Sequence, residues 1–142
     1  QRFTVGSLVD GARITIGSLS ILSRQLRHSV ESFGLRIEAD GRALTYSGDS
    51  AMTDALVELA HDADVALIEA TWPEPDTHEK PWLEGVHLSG REAGQIARRA
   101  GVRHLVLTHH APWADADLIA SQASDAFSGP ISRAQPGMML VV

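Results

Sequence analysis

The sequence predicts an α/β domain built on a mixed sheet, and three observations carry that prediction. The first third alternates polar and apolar residues in strand-length pieces separated by Asp-Gly pairs. After Asp49 the apolar period lengthens to that of amphipathic helices. Three short apolar runs, moreover, stop abruptly at ionisable residues: Leu44–Ser47 before Gly48-Asp49, Val65–Ile68 before Glu69, and Leu105–Leu107 before Thr108-His109. The C-terminal edge of an α/β sheet is where ligands and chemistry collect, so Asp, Glu and His at three such ends predict a metal or acid–base site.

In chain order, Phe3–Leu8 and Ala12–Ile16 read as strands around the turn pair Asp10-Gly11. Ser20–Leu26 follows as a strand ending at Arg27-His28. Phe33–Ala39 and Arg42–Ser47 flank Asp40-Gly41, the strongest short hairpin signal. The first third is thus an antiparallel meander. Met52, Leu56, Leu59 and Ala60 then form one helical stripe, and a strand spans Asp64–Glu69. A Pro- and charge-rich loop, 72–86, is a candidate part of a substrate mouth. Ser89-Gly90-Arg91-Glu92 is a capping box, in which serine accepts from an orphan N–H and glutamate reaches back. Ala93, Ile96, Ala97 and Ala100 supply the buried stripe behind it, and Gly101 is the expected stop. A strand over Val102–Thr108, a helix over about Asp115–Phe127, and strands at Ile131–Arg133 and Met138–Val142 complete the prediction, with Met138-Met139 in the core. The first residue is Gln and the opening already reads as structure, so the chain is expected to be the tail of something longer.

With 142 residues and 44% hydrophobic content, the chain suffices for one domain with a real core. No apolar run approaches the roughly 20 residues that span a bilayer, and no membrane contact is expected. The absence of cysteine excludes disulfides and thiolate-bound metal, in keeping with a cytoplasmic protein. A formal charge of −6 argues mildly against a long nucleic acid, whose phosphates call for clustered Lys and Arg.

Seven histidines are many for this length. His28, Asp49 and His109 each follow a strand, and imidazole with carboxylate suits zinc, manganese or iron. Singly each has a plainer reading. Asp49 before Ser50 resembles a helix N-cap, and a lone strand-end histidine is more often hydrogen-bonded structure than a ligand. The three together favour metal. Glu69 and His87 form a second constellation, because a carboxylate on one imidazole nitrogen fixes the tautomer and prepares the other nitrogen to donate. Spacing alone slightly favours the plainer alternative, with His87 merely preceding a helix and Glu69 accepting from a neighbouring N–H. His61, His78 and His104 read as incidental, and His110 would face the opposite side if the strand continued that far. Arg98-Arg99 reads as a solvated helix surface.

These residues in this order resemble the C-terminal half of a metallo-β-lactamase-fold hydrolase, in the branch of ribonuclease Z-like proteins and bacterial cyclic-nucleotide phosphodiesterases. His28–Ile37 looks like that branch's third-histidine motif and following strand. Tyr46–Ser50 is similar to its bridging-aspartate motif, and Leu107-Thr108-His109 to its last-histidine motif. Glu69-Ala70-Thr71 and His87-Leu88-Ser89 resemble the paired Glu and His motifs of the phosphodiesterases. The fold implied for 1–142 is α/β: the C-terminal half of an αββα sandwich, a mixed sheet with helices on one face. The site implied has two divalent metal ions, zinc first, with manganese or iron as alternatives. His28 would bind one, His109 the other, and Asp49 would bridge them. A hydroxide between them would attack phosphorus while His87, oriented by Glu69, meets the phosphate oxygens or the leaving alkoxide.

Two departures qualify this. The family's His-x-His-x-Asp-His loop is absent, so His28, Asp49 and His109 cannot alone close a catalytic site. Ile68 also stands where ribonuclease Z proteins often carry histidine. Only residues 29–48 separate His28 from Asp49, leaving no room for the long arm with which tRNA-binding members hold substrate. The function implied is hydrolysis of small phosphodiesters such as cyclic nucleotides, with nucleic acid the weaker expectation. The alternatives are tRNA 3′-end processing, or an inactive fragment or binding module without the N-terminal ligands. The expected partners are that N-terminal half and, for the fragment by itself, a second copy in a homodimer, because one apolar sheet face would be left uncovered.

Overall fold

Asp40 and Gly41 both adopt positive φ, 50° and 74°, the backbone of a two-residue hairpin turn whose twist matches its strands. That hairpin joins β3 (Ser32–Ala39) to β4 (Arg42–Tyr46). The computed structural model describes residues 5–74 and 85–142. Ahead of the hairpin lie β1 (Arg13–Ile16) and β2 (Leu19–Leu26); after it come α1 (Asp54–Leu59), β5 (Val65–Glu69), α2 (Gly90–Ala100), β6 (Leu105–Thr108), α3 (Ala116–Ala126) and β7 (Ile131–Arg133). All seven strands form one sheet in sequence order, β1 to β7. Pairing is antiparallel from β1 to β4 and parallel from β4 to β7. The predicted mixed sheet is therefore observed.

This arrangement gathers strand ends. β4, β5 and β6 are parallel, and β2, antiparallel to an antiparallel neighbour, points the same way as β4. The residues following β2, β4, β5 and β6 consequently emerge at one edge, which places His28, Asp49, Glu69 and His109 together.

The core lies on the helix side. Leu26, Ala66, Ile68, Leu105 and Leu107 of the sheet pack with Leu56 and Leu59 of α1, Ile96 and Ala97 of α2, and Ile119 and Ala123 of α3. Each fully buried Leu or Ile there contributes about 1.5–3 kcal/mol. The α2 helix has the full capping box, with Ser89 and Glu92 satisfying each other's backbone N–H, and Gly101 ends it at φ 69°. It lies close against α3: a Cβ at Gly94 would meet the Ala123 carbonyl oxygen at 2.5 Å, so only glycine admits this approach.

The opposite face is also apolar. The strand register aligns Ile14, Ile21, Ile37, Leu44 and Val65 across five strands, and none of them belongs to the core cluster packed with the helices. Ile14 and Ile16 are exposed there, as is Tyr46 at the end of β4.

Several boundaries differ from expectation. Residues 5–8 form no strand, and Phe3 lies outside the described residues. Beyond β1, at the sheet's edge, the chain is held through Ser23 instead, whose Oγ donates to the Val9 carbonyl at 2.7 Å. The first helix begins at Asp54 because Thr53, extended, is its N-cap; Met52 packs on the core from outside the helix. β6 starts at Leu105, since Val102 N–H turns back to the Ala97 carbonyl and Arg103 N–H goes to Ala63. Met138–Val142 is not a strand. Gly137 turns the chain at φ 80°, and Met138 and Met139 are exposed, not core, because among the described residues no strand lies beyond β7 to receive them.

Candidate metal and acid–base centre

Gly48 sets the aspartate. It holds φ 58°, and a Cβ there would stand 2.7 Å from the Phe33 carbonyl oxygen, so the turn after β4 requires glycine. Ser32 Oγ, at the start of β3, donates to the Asp49 carbonyl at 2.6 Å. The Asp49 side chain is half-exposed and accepts no hydrogen bond among the described residues; its Oδ1 lies 3.6 Å from His109 Nδ1. The N-cap reading of Asp49 fails, since Thr53 caps α1.

Glu69 is the most constrained group in the site. It is fully buried, yet accepts on every lone-pair position: Oε1 from Ser50 N at 2.6 Å and His87 Nδ1 at 2.9 Å, Oε2 from Thr71 Oγ1 at 2.7 Å and Leu88 N at 3.1 Å. Its own N–H donates to Ser47 Oγ, also buried. Both sequence readings of Glu69 are thus realised: it accepts from neighbouring N–H groups and it orients His87.

Three imidazoles line up across the edge. The ring of His87 lies 4.8 Å from that of His28 and 5.3 Å from that of His109, with the Trp72 indole 5.3 Å away on edge. Their tautomers follow from their partners. His28 Nδ1 meets the Val86 carbonyl at 2.8 Å, which can only accept, so Nδ1 carries the proton. His87 Nδ1 donates to Glu69. His109 Nδ1 lies 3.2 Å from Thr71 Oγ1, whose single proton goes to Glu69, so this nitrogen too is the donor. Each ring is held at Nδ1, with no partner on Nε2 among the described residues, the arrangement in which a ligating histidine is fixed by the partner of its other nitrogen.

His109 itself adopts φ 58°, strained for a residue bearing a Cβ and costing about 1–3 kcal/mol. The chain leaves β6 at this residue, so the condition under which His110 would face the opposite side is not met. His110 Nδ1 donates to the Ala70 carbonyl at 2.7 Å, and its Nε2 is buried with no partner among the described residues. His61 is exposed beside Asp62, and His104 reaches Ser132, both away from the site; His78 and most of the loop 72–86 lie outside the described residues.

Sequence reasoning missed Thr71, Ser47, Ser50 and Trp72. Thr71 had a legible signal, since it stands two positions beyond Glu69 and shares its face if the extended chain continues. The serines had none, being defined only by where β4 meets β5.

The residues fit a divalent ion by donor chemistry: a carboxylate that accepts no hydrogen bond, beside imidazoles whose Nε2 atoms have no partner, among the described residues. Glu69, His87 and His109 also offer ligand atoms within 4.8 Å of one another. That trio is poorly suited to metal, because all four positions on Glu69 are already occupied by donors.

A mixed sheet of this order, with helices on one face and imidazoles and carboxylates along one strand edge, matches about half of a metallo-β-lactamase fold. The family model described as the beta-lactamase superfamily domain matches residues 1–110, and the chain belongs to that family. An uncharacterized protein of Mycobacterium tuberculosis is 45% identical over 130 residues, 91% of this chain and 46% of that protein. A ribonuclease Z of Myxococcus xanthus is 39% identical over 99 residues, 68% of this chain and 32% of that protein. The crystal structure of the metallo-β-lactamase-fold protein YhfI from Bacillus subtilis superposes with a TM-score of 0.81 at 26% identity, covering 92% of this chain and 53% of that one. The chain therefore spans about half the length of these relatives, or less. Among the described residues no helix is long and apolar enough to cross a membrane.

Proposed function

We propose that this chain is the C-terminal part of a metal-dependent phosphodiester hydrolase acting on small phosphodiesters such as cyclic nucleotides. The observation that carries the reading is His87. Its ring neighbours those of His28 and His109, is clamped at Nδ1 by a fully buried carboxylate, and has no partner on Nε2 among the described residues.

In this reading His28, Asp49 and His109 hold two divalent ions, zinc first, with further ligands supplied from outside residues 1–142. When bound, such ions provide Lewis acidity and a water activated at neutral pH. With the ring doubly protonated, Nδ1–H held by Glu69 and the second proton on Nε2, His87 donates that second proton to a phosphate oxygen or to the departing alkoxide and is left as the Nδ1–H imidazole, a step worth about 10²–10⁴-fold in rate for a positioned general acid. Glu69 stays an acceptor throughout and keeps the ring in register. Trp72, edge-on to His87, limits water on that side. The short connection between His28 and Asp49 is filled by the β3–β4 hairpin, which supports a small substrate.

A second reading, tRNA 3′-end processing, is favoured by the likeness to ribonuclease Z. Comparing cleavage of a 2′,3′- or 3′,5′-cyclic nucleotide with that of a tRNA precursor separates the two. His87→Ala tests the mechanism in the complete gene product: turnover falls about 10²-fold or more with metal content unchanged. Unchanged turnover would remove His87 from the chemistry.

A further inference from the structure

We infer that Thr71 is a positioning residue that holds His109 in the Nδ1–H tautomer and so presents its Nε2 to a metal ion. The inference rests on the reading of His109 as a ligand.

The argument is a proton count. Thr71 is 7% exposed, and its one hydroxyl proton has two candidate destinations, Glu69 Oε2 at 2.7 Å and His109 Nδ1 at 3.2 Å. The Glu69 carboxylate can only accept, and its other three positions are filled by Ser50 N–H, Leu88 N–H and His87. The proton therefore goes to Glu69. The remaining Thr71 lone pair faces His109, where it accepts from Nδ1–H. Asp49 Oδ1, at 3.6 Å from the same nitrogen, is too far to replace it.

Backbone contacts fix Thr71 independently of its hydroxyl: its N–H donates to the Leu88 carbonyl and its carbonyl accepts from Ala111 N–H, both at 2.9 Å. Removing the hydroxyl should therefore leave the backbone in place. The other two imidazoles are secured differently, His28 by a main-chain carbonyl and His87 by Glu69. His109 relies on a neutral side chain, and it does so from a strained backbone at φ 58°, where no strand pairing aligns the ring. One hydroxyl thus joins the buried carboxylate behind His87 to His109.

The test uses the complete gene product, its Thr71→Val and Thr71→Ser variants, and Zn²⁺ alone as the probe. Long-range ¹H–¹⁵N correlation of the histidine rings in metal-free protein reads the tautomer; competition with a chromophoric chelator reads affinity. Expected are an Nδ1–H tautomer for His109 in the wild type, a shift toward Nε2–H in Thr71→Val with Zn²⁺ bound about 10–100-fold more weakly, and recovery of both in Thr71→Ser. An Nε2–H tautomer in the wild type would overturn the inference without any variant. So would Thr71→Val binding Zn²⁺ as the wild type does. Neither readout needs turnover, so failure of the phosphodiesterase reading would leave these results distinct.

Discussion

Glu69→Gln is the substitution whose consequence the structure determines most closely. A carboxylate offers acceptors on both oxygens, whereas an amide offers one acceptor oxygen and one donor nitrogen. With the nitrogen toward Ser50 and His87, it faces the Ser50 N–H, which cannot reverse; toward Thr71 and Leu88, it faces the Leu88 N–H, which cannot either. The Thr71 hydroxyl can rotate and the His87 proton can move, but one buried backbone donor is orphaned in either orientation. One hydrogen bond to a charged group is lost outright, worth about 1.5–3 kcal/mol, and its buried N–H is left unsatisfied. The expected loss is about 2–3 kcal/mol, a sizeable part of a domain's whole stability. Urea unfolding of wild type and variant, followed by tryptophan fluorescence and circular dichroism, measures it. A loss below about 1 kcal/mol would refute the claim that all four positions on Glu69 accept.

Further predictions rest on separate features. Gly48→Ala forces a Cβ to φ 58° and against the Phe33 carbonyl oxygen, so it should cost about 1–3 kcal/mol in urea unfolding and weaken Zn²⁺ binding by displacing Asp49. Asp64 is held below its ordinary value of 3.8 by the Ala43 N–H first, then by hydrogen bonding to Arg42, with Arg103 adding its charge. Its contribution is whole above about pH 3.8 and fades as pH falls through the lowered folded value. The stability difference between wild type and Asp64→Asn should therefore shrink in acid titration below that point. Residues 1–142 expressed alone should self-associate through the apolar face of Ile14, Ile21, Ile37 and Leu44; a monomer across sedimentation concentrations would count against that.

Legibility followed the range of the interactions involved. The Asp40-Gly41 hairpin, the Ser89 capping box and the Gly101 stop are local, involve neighbours in the chain, and were found where expected. The parallel strands could be read from apolar runs, and their direction, shared with β2, brought His28, Asp49, Glu69 and His109 to one edge, where Glu69 holds His87. What the sequence did not carry were contacts set by the sheet itself. Ser50 N–H reaches Glu69 only because β4 and β5 are adjacent and parallel. The end of the chain misled for a related reason: Met138–Val142 has the composition of a strand, but β7 is the last strand of the sheet. Met138 and Met139 there, like Ile14 and Ile16 on the face opposite the helices, are exposed and lie outside the core cluster.

The activity proposed for the strand-edge cluster is metal-dependent phosphodiester hydrolysis. The most direct measurement is turnover of a cyclic nucleotide by the complete gene product before chelation, after chelation, and after readdition of Zn²⁺ or Mn²⁺. The account predicts hydrolysis that chelator abolishes, that metal restores, and that His28→Ala, Asp49→Ala and His109→Ala each remove. Turnover indifferent to chelator, or none with any added metal, would contradict it.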